Sequence, residues 1–144
     1  MDLPAAGYSG TPLAKKLGIR AGDTVALVSA PGGFEQELEG LPDGVQLKHR
    51  AGGKPDVVVL FTTRARDLDR RFKGLATSVW PDGSLWVAWP KRSSGVATDL
   101  DENRLRDIGL PHGLVDNKVC AVNEVWSGLR FVWRKENRLQ PPTA

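Results

Sequence analysis

The chain has 144 residues with a formal net charge of +3, and 40% of them are hydrophobic against 26% charged. That length supports one domain with a full core, and the balance excludes disordered and fibrous classes. The lone cysteine, Cys120, excludes an internal disulfide and a cysteine-built metal centre, and the small charge argues against dedicated nucleic-acid binding.

Met1 to Gly10 has neither a basic n-region nor an apolar h-region, so no signal peptide is read. With a single thiol, the expected compartment is the reducing cytoplasm. Gly7-Tyr8-Ser9-Gly10 reads as a flexible lead-in. Thr11 as N-cap and Pro12 at the first helical position then start a short helix ending near Leu17-Gly18. After the turn Ala21-Gly22-Asp23, Thr24 to Ser29 is a nearly continuous apolar run, the mark of a strand covered on both faces. Ala30-Pro31-Gly32-Gly33 forms its exit loop, Phe34 to about Leu38 a short helix, and Leu41-Pro42-Asp43-Gly44 a turn.

Val45 to Arg50 alternates polar and apolar residues, as a half-exposed edge strand does. Asp56 to Thr62 is apolar and central again. Arg64 to Lys73 predicts an amphipathic helix with Ala65, Leu68, Phe72 and Leu75 on one stripe. Pro81-Asp82-Gly83 turns into a strand over Ser84–Trp89. Asp99, with Glu102 three residues on, has the spacing of a capping box and starts the next helix, which Gly109 ends. Leu114 to Val122 and Gly128 to Arg134 are two strands whose link, Asn123 to Ser127, is too short for a crossover, so they are antiparallel. No apolar run is long enough to span a membrane. Residues 140–144 read as a disordered tail, which leaves 1–139 as a single α/β domain.

Strands alternating with short helices predict a three-layer, mostly parallel sheet of about six strands. Right-handed crossovers and two edge strands select the order 2-1-3-4-6-5, with strand 6 alone antiparallel.

The stretches Leu17-Gly18-Ile19-Arg20-Ala21-Gly22-Asp23-Thr24-Val25, Asp56-Val57-Val58-Val59-Leu60 and Pro81-Asp82-Gly83-Ser84-Leu85-Trp86-Val87 resemble the first, fourth and fifth strand regions of the class I methyltransferase fold. That resemblance implies a Rossmann-like sheet ending in an antiparallel hairpin, with S-adenosylmethionine as cofactor. One strand–helix unit of that fold is missing between Arg50 and Asp56. The glycine loop is Ser29-Ala30-Pro31-Gly32-Gly33-Phe34 rather than Gly-x-Gly-x-Gly. The family's acid after strand 2 is replaced by Lys48-His49-Arg50, and Phe61-Thr62-Thr63-Arg64 stands where the family has an Asn-Pro-Pro-Tyr type of motif. Two further segments, Gly7-Tyr8-Ser9-Gly10-Thr11-Pro12-Leu13-Ala14-Lys15-Lys16-Leu17-Gly18 and Trp89-Pro90-Lys91-Arg92-Ser93-Ser94-Gly95-Val96-Ala97-Thr98-Asp99, resemble a family of small bacterial proteins that brings no assigned reaction.

In an open parallel sheet the loops after the strands share the carboxyl edge, where ligands bind. Ser29–Phe34, Thr62–Arg64, Pro90–Thr98 and Asn123–Ser127 are expected there, joined by Tyr8–Thr11. The candidate ligand-binding residues are therefore Tyr8, Ser9, Ser29, Gly32, Gly33, Thr62, Lys91, Ser93, Ser94, Thr98, Glu124, Trp126 and Ser127. Lys91 is the expected anchor: a compact cation that, with the hydroxyls of Ser93, Ser94 and Thr98, suits a carboxylate or phosphate. Trp89 and Trp126 are candidate walls, and Glu124 a candidate base or partner of Lys91. His49 and His112 have no catalytic neighbour in sequence, and no cluster has metal-ligand spacing. The basic face of Arg64, Arg66, Arg70, Arg71 and Lys73, diluted by Asp67 and Asp69, reads as solvated rather than as a nucleic-acid surface. The reading is a binding module for a small anionic ligand or a protein partner at the carboxyl rim, with no residue nominated as catalytic. The alternatives are a reduced methyltransferase-like enzyme using Lys91 or Glu124, and a nucleic-acid accessory protein.

Overall fold

Val57–Phe61 is five consecutive buried residues, which only a strand covered on both faces can hold. The computed structural model describes residues 11–143. It places this strand inside a sheet of six, in the order expected. Along the chain the elements are α1 (Leu13–Lys16), β1 (Thr24–Val28), β2 (Gln46–Lys48), β3 (Val57–Phe61), α2 (Ala65–Ser78), β4 (Ser84–Pro90), α3 (Glu102–Gly109), β5 (Leu114–Ala121) and β6 (Trp126–Trp133). The order is β2-β1-β3-β4-β6-β5. β6 alone runs antiparallel to its neighbours.

The alternating side chains of the central strands feed two cores, one on each face. On one face Val58, Leu60, Leu85 and Val87 meet Leu68 and Phe72 of α2, Leu105 of α3 and Phe131 of β6. On the other, Val57, Val59 and Trp86 meet Ala14, Leu17, Phe34 and Leu38. The buried indoles are satisfied by carbonyls: Trp86 Nε1 donates to Leu17 at 3.0 Å and Trp133 Nε1 to Ala76 at 2.9 Å. The missing strand–helix unit shows directly. β2 connects to β3 through residues 49–56 with no helix, and Lys48 Nζ donates back to the Gly52 carbonyl at 2.7 Å. β2 is only three residues long, which blunts the edge it forms.

Several local expectations shift. α1 starts at Leu13, because Pro12 at ψ 142° is extended and caps through its carbonyl, which accepts from Lys15 and Lys16. Thr11 is therefore not the cap. The predicted helix over 34–38 is a 3-10 turn, Phe34–Glu37. α2 runs on to Ser78, past Lys73, because Leu75 and Ala76 continue the apolar stripe through Gly74. α3 is capped by Asp101, whose Oδ1 accepts from the Arg104 N–H at 2.8 Å, and not by Asp99. The strand expected over 45–50 shortens to Gln46–Lys48, and the hairpin tip tightens to residues 122–125. Among the described residues no helix is long and apolar enough to cross a membrane.

Candidate functional site

β1 is the switch point of the sheet, flanked by β2 on one side and β3 on the other. The chain leaves β1 toward the α1 face, through Phe34, and leaves β3 toward the opposite face, through α2. A crevice opens between such diverging connections. Ser29 lies at its mouth with φ 58°, the one non-glycine residue at positive φ among the described residues. That left-handed backbone is uncommon for serine and turns its hydroxyl toward α2. Ser29 Oγ accepts from Arg71 at 3.1 and 3.2 Å. Arg71 also donates to Asp67 Oδ2 at 3.3 Å, and Asp67 accepts from Thr62 Oγ1 at 2.8 Å and from Arg70 at 2.9 Å. One polar network thus joins the end of β1 to the end of β3.

Asp67 carries the electrostatic signature of this network. Burial alone would raise its carboxyl, but hydrogen bonds from Thr62, Arg70 and Arg71 outweigh that and hold it below its ordinary value. Arg70 and Arg71 bring two cations to this one carboxylate, so the cluster keeps a net positive charge. The solvated basic face read from sequence is therefore, at Arg71, part of the rim.

The other wall of the crevice is the glycine loop. Gly32 has ordinary φ, and a Cβ there would meet nothing within 4 Å. Gly33, at φ 83°, has glycine's backbone need, and the nearest neighbour is Gln36 Oε1 at 3.9 Å. Just beyond β2, His49 Nε2 lies 2.7 Å from Glu35 Oε1. His49 therefore does have a carboxylate partner, and the pair sets an acid beside the end of β2.

Farther along the rim, loop 91–99 is held by its own hydroxyls. Ser94 Oγ donates to the Lys91 carbonyl at 2.6 Å and accepts from Val96 N–H. Thr98 Oγ1 donates to the Thr63 carbonyl at 2.6 Å and accepts from Leu100 N–H. Ser93 is exposed on the 3-10 turn Arg92–Ser94. Lys91 donates its backbone N–H to Val125 at 2.7 Å, which brings this loop against the hairpin tip. Beside it, a hollow of about 470 Å³ is lined by Trp89, Lys91, Arg92, Ser127 and the start of α3. There Arg106 is taken up by Glu102 at 2.8 Å and Asp116 at 3.0 Å. Lys91 and Arg92 form no ion pair among the described residues.

Glu124 is exposed at the hairpin tip, where Asn123 Oδ1 accepts from Val125 and Trp126. Trp126 packs edge-on to Phe61 at 5.1 Å, on the α1 face, while Trp89 belongs to the opposite core. The two tryptophans therefore cannot wall one pocket. Tyr8 and Ser9 lie outside the described residues. Among the described residues, Thr62–Arg64, Pro90–Thr98 and Asn123–Ser127 are joined by the Thr98–Thr63 and Lys91–Val125 hydrogen bonds, and Asn123 extends the contact by donating to Glu37 at 2.9 Å. Arg71, Asp67, Glu35 and His49 are the rim residues that reading the sequence missed. Their partners are remote in the chain or sit on helix faces that resemble solvated ones.

No family model matches the chain, and no curated protein sequence does either. Solved structures match in fold. Magnesium protoporphyrin IX methyltransferase from Synechocystis PCC 6803, with bound SAM, is 14% identical at TM-score 0.55, covering 79% of this chain and 71% of that one. A protein assigned as a type 11 methyltransferase from Sulfolobus solfataricus is 11% identical at TM-score 0.57, covering 87% and 90%. A protein of Pyrococcus horikoshii OT3 is 11% identical at TM-score 0.56, covering 85% and 86%. The chain has the Rossmann-like, methyltransferase-like fold of these neighbours. At such identities the likeness speaks for the fold alone.

Proposed function

We propose that this chain is a reduced methyltransferase-like protein that binds S-adenosylmethionine, or its demethylated product, in the crevice between β1 and β3. The observation that carries the reading is the Glu35–His49 pair at 2.7 Å. The fold's ribose-binding acid is absent from the end of β2, yet Glu35 brings a carboxylate to that end from the loop after β1. The open space over Gly32 supports the same reading, since neither φ nor packing requires glycine there and a ligand's close approach does. Arg71, poised by Ser29, suits the carboxylate of the ligand's amino-acid end. In this reading the bound group supplies an electrophilic methyl, Glu35 accepts the ribose hydroxyls and Arg71 orients the amino-acid end.

Titration of S-adenosylmethionine and S-adenosylhomocysteine, followed by the thermal midpoint, tests it. A ligand at 100 times its Kd adds about 2.7 kcal/mol of stability. The expected result is a saturable rise that weakens at least tenfold in Glu35→Gln and in Arg71→Ala. No saturable rise with either compound overturns the reading.

A second reading, an anionic ligand held by Lys91 and Arg92, rests on those two cations lining a hollow in which neither forms an ion pair among the described residues, although Asp101 and Glu102 share the lining. Malonate separates it: a saturable response lost in Lys91→Ala but kept in Arg71→Ala favours this hollow, and its absence removes it.

A further inference from the structure

On the rim opposite this crevice, Arg130 is a cation without a counter-charge. Strand alternation puts Leu129 and Phe131 in the core beneath α2 and turns Arg130 to the α1 face, beside Trp86 of β4. Its Nε is buried and has no hydrogen-bond partner. Arg130 as a whole is half-buried, and a guanidinium with one edge withdrawn from water normally has a carboxylate beside it, because burying an unpaired charge is costly. Here the charge that bears on it is another arginine. Burial pulls the Arg130 guanidinium below its ordinary range, and Arg20 pushes in the same direction.

The two arginines line one cleft of about 360 Å³, with Lys54 as a third cation. Three carboxylates share the lining, and two of them are bonded to backbone N–H groups. Asp23 Oδ2 accepts from the Arg20 backbone N–H at 2.9 Å, and Asp56 Oδ2 from the Thr24 N–H at 2.8 Å. Asp82 is exposed on the turn before β4. None of them forms an ion pair with Arg20 or Arg130. Lys54 Nζ lies 5.9 Å over the Trp80 ring.

We infer that this cleft is an oxyanion site, in which Arg20 and Arg130 hold the phosphate or carboxylate group of a small metabolite. Arginine presents a planar fork of donors that matches either group two bonds at a time. Two such forks facing one cleft repel each other until an anion sits between them. The cleft's volume lies at the small end of the range for metabolite pockets, roughly 300–1,000 Å³. The buried side chains of Val57 and Val79 form an apolar part of the lining, beside which a charge pair is stronger than in open water. The site is separate from the crevice at β1 and β3, so it stands or falls independently of S-adenosylmethionine binding.

Inorganic phosphate and malonate are titrated into the full chain, with sodium chloride at matched ionic strength as the reference. The thermal midpoint and the arginine Nε–Hε NMR signals are followed. The expected result is a saturable midpoint rise above the salt reference, with the Arg130 signal moving along the same curve. Arg130→Met and Arg20→Ala each weaken the apparent affinity at least tenfold. Arg20 is exposed, so its variant tests the site without disturbing the core. Arg66→Ala, at an exposed residue of α2 that lines neither the cleft nor the hollow at Lys91, leaves the response intact. A tighter response to phosphate assigns a phosphorylated ligand, and a tighter response to malonate a carboxylate. The inference is overturned when neither anion saturates above the salt reference, or when saturation survives both Arg130→Met and Arg20→Ala.

Discussion

Asp99 caps a helix that it does not belong to. Its Oδ1 accepts the backbone N–H of Ala65, the first residue of α2, at 2.7 Å across 34 positions of sequence. Arg64, the residue that stands at the N-cap of α2, offers no side-chain acceptor. With Thr98 bonded to the Thr63 carbonyl, residues 98 and 99 strap loop 91–99 over the end of β3. Replacing a capping carboxylate by alanine costs about 1 kcal/mol. Asp99→Ala is therefore expected to lower the thermal midpoint by about 3 °C for a chain of this size. Asp99→Asn, which keeps an acceptor, holds most of it. An unchanged midpoint in Asp99→Ala means that the strap bears no load.

The strand order was legible because it follows from short-range facts. Three apolar runs had to be central, and the link from Asn123 to Ser127, too short for a crossover, had to make a hairpin. The carboxyl rim was legible for the same reason, since topology alone gathers the loops after parallel strands. What failed was inference from the spacing of polar side chains, whereas the apolar stripe of α2 held. Asp99-x-x-Glu102 has the spacing of a capping box, yet Asp101 is the cap of α3 and Asp99 serves Ala65. Arg71 sits among charges that look solvated until Ser29 is known to face it. Arg130 reads as the polar alternate of a hairpin strand, because nothing local says that its face is covered. Partners distant in sequence leave no periodic trace.

Asp67 makes the Thr62–Asp67–Arg71 network sensitive to acid. Its folded carboxyl lies below the ordinary value of 3.8, so its ionised form is favoured by folding. That contribution is fully present above about pH 4 and is lost as the pH falls through the folded value. The stability gap between the wild type and Asp67→Asn, measured by urea unfolding, is therefore expected to be wide at pH 7 and to close toward pH 3. A gap that stays constant over that interval removes the charge from the account and leaves only hydrogen bonding.

Two helical glycines are expected to respond to alanine with opposite signs. Gly74 lies within α2, is exposed, and a Cβ there meets nothing within 4 Å. Alanine at that site gains helix propensity and restricts the unfolded chain, raising stability by up to about 1 kcal/mol. Gly109 ends α3 against the core, where a Cβ would lie 2.6 Å from Phe131 Cε1 and 2.9 Å from Phe72 Cζ. Both rings are fully buried and meet edge-on at 5.2 Å, so neither can withdraw without disturbing the other. Overpacking of this kind costs roughly 1–3 kcal/mol, more than the propensity gained. Urea midpoints should therefore rise for Gly74→Ala and fall for Gly109→Ala. If both variants move the same way, propensity rather than contact with the phenylalanine pair sets the response, and the close seat of α3 on β6 is wrong.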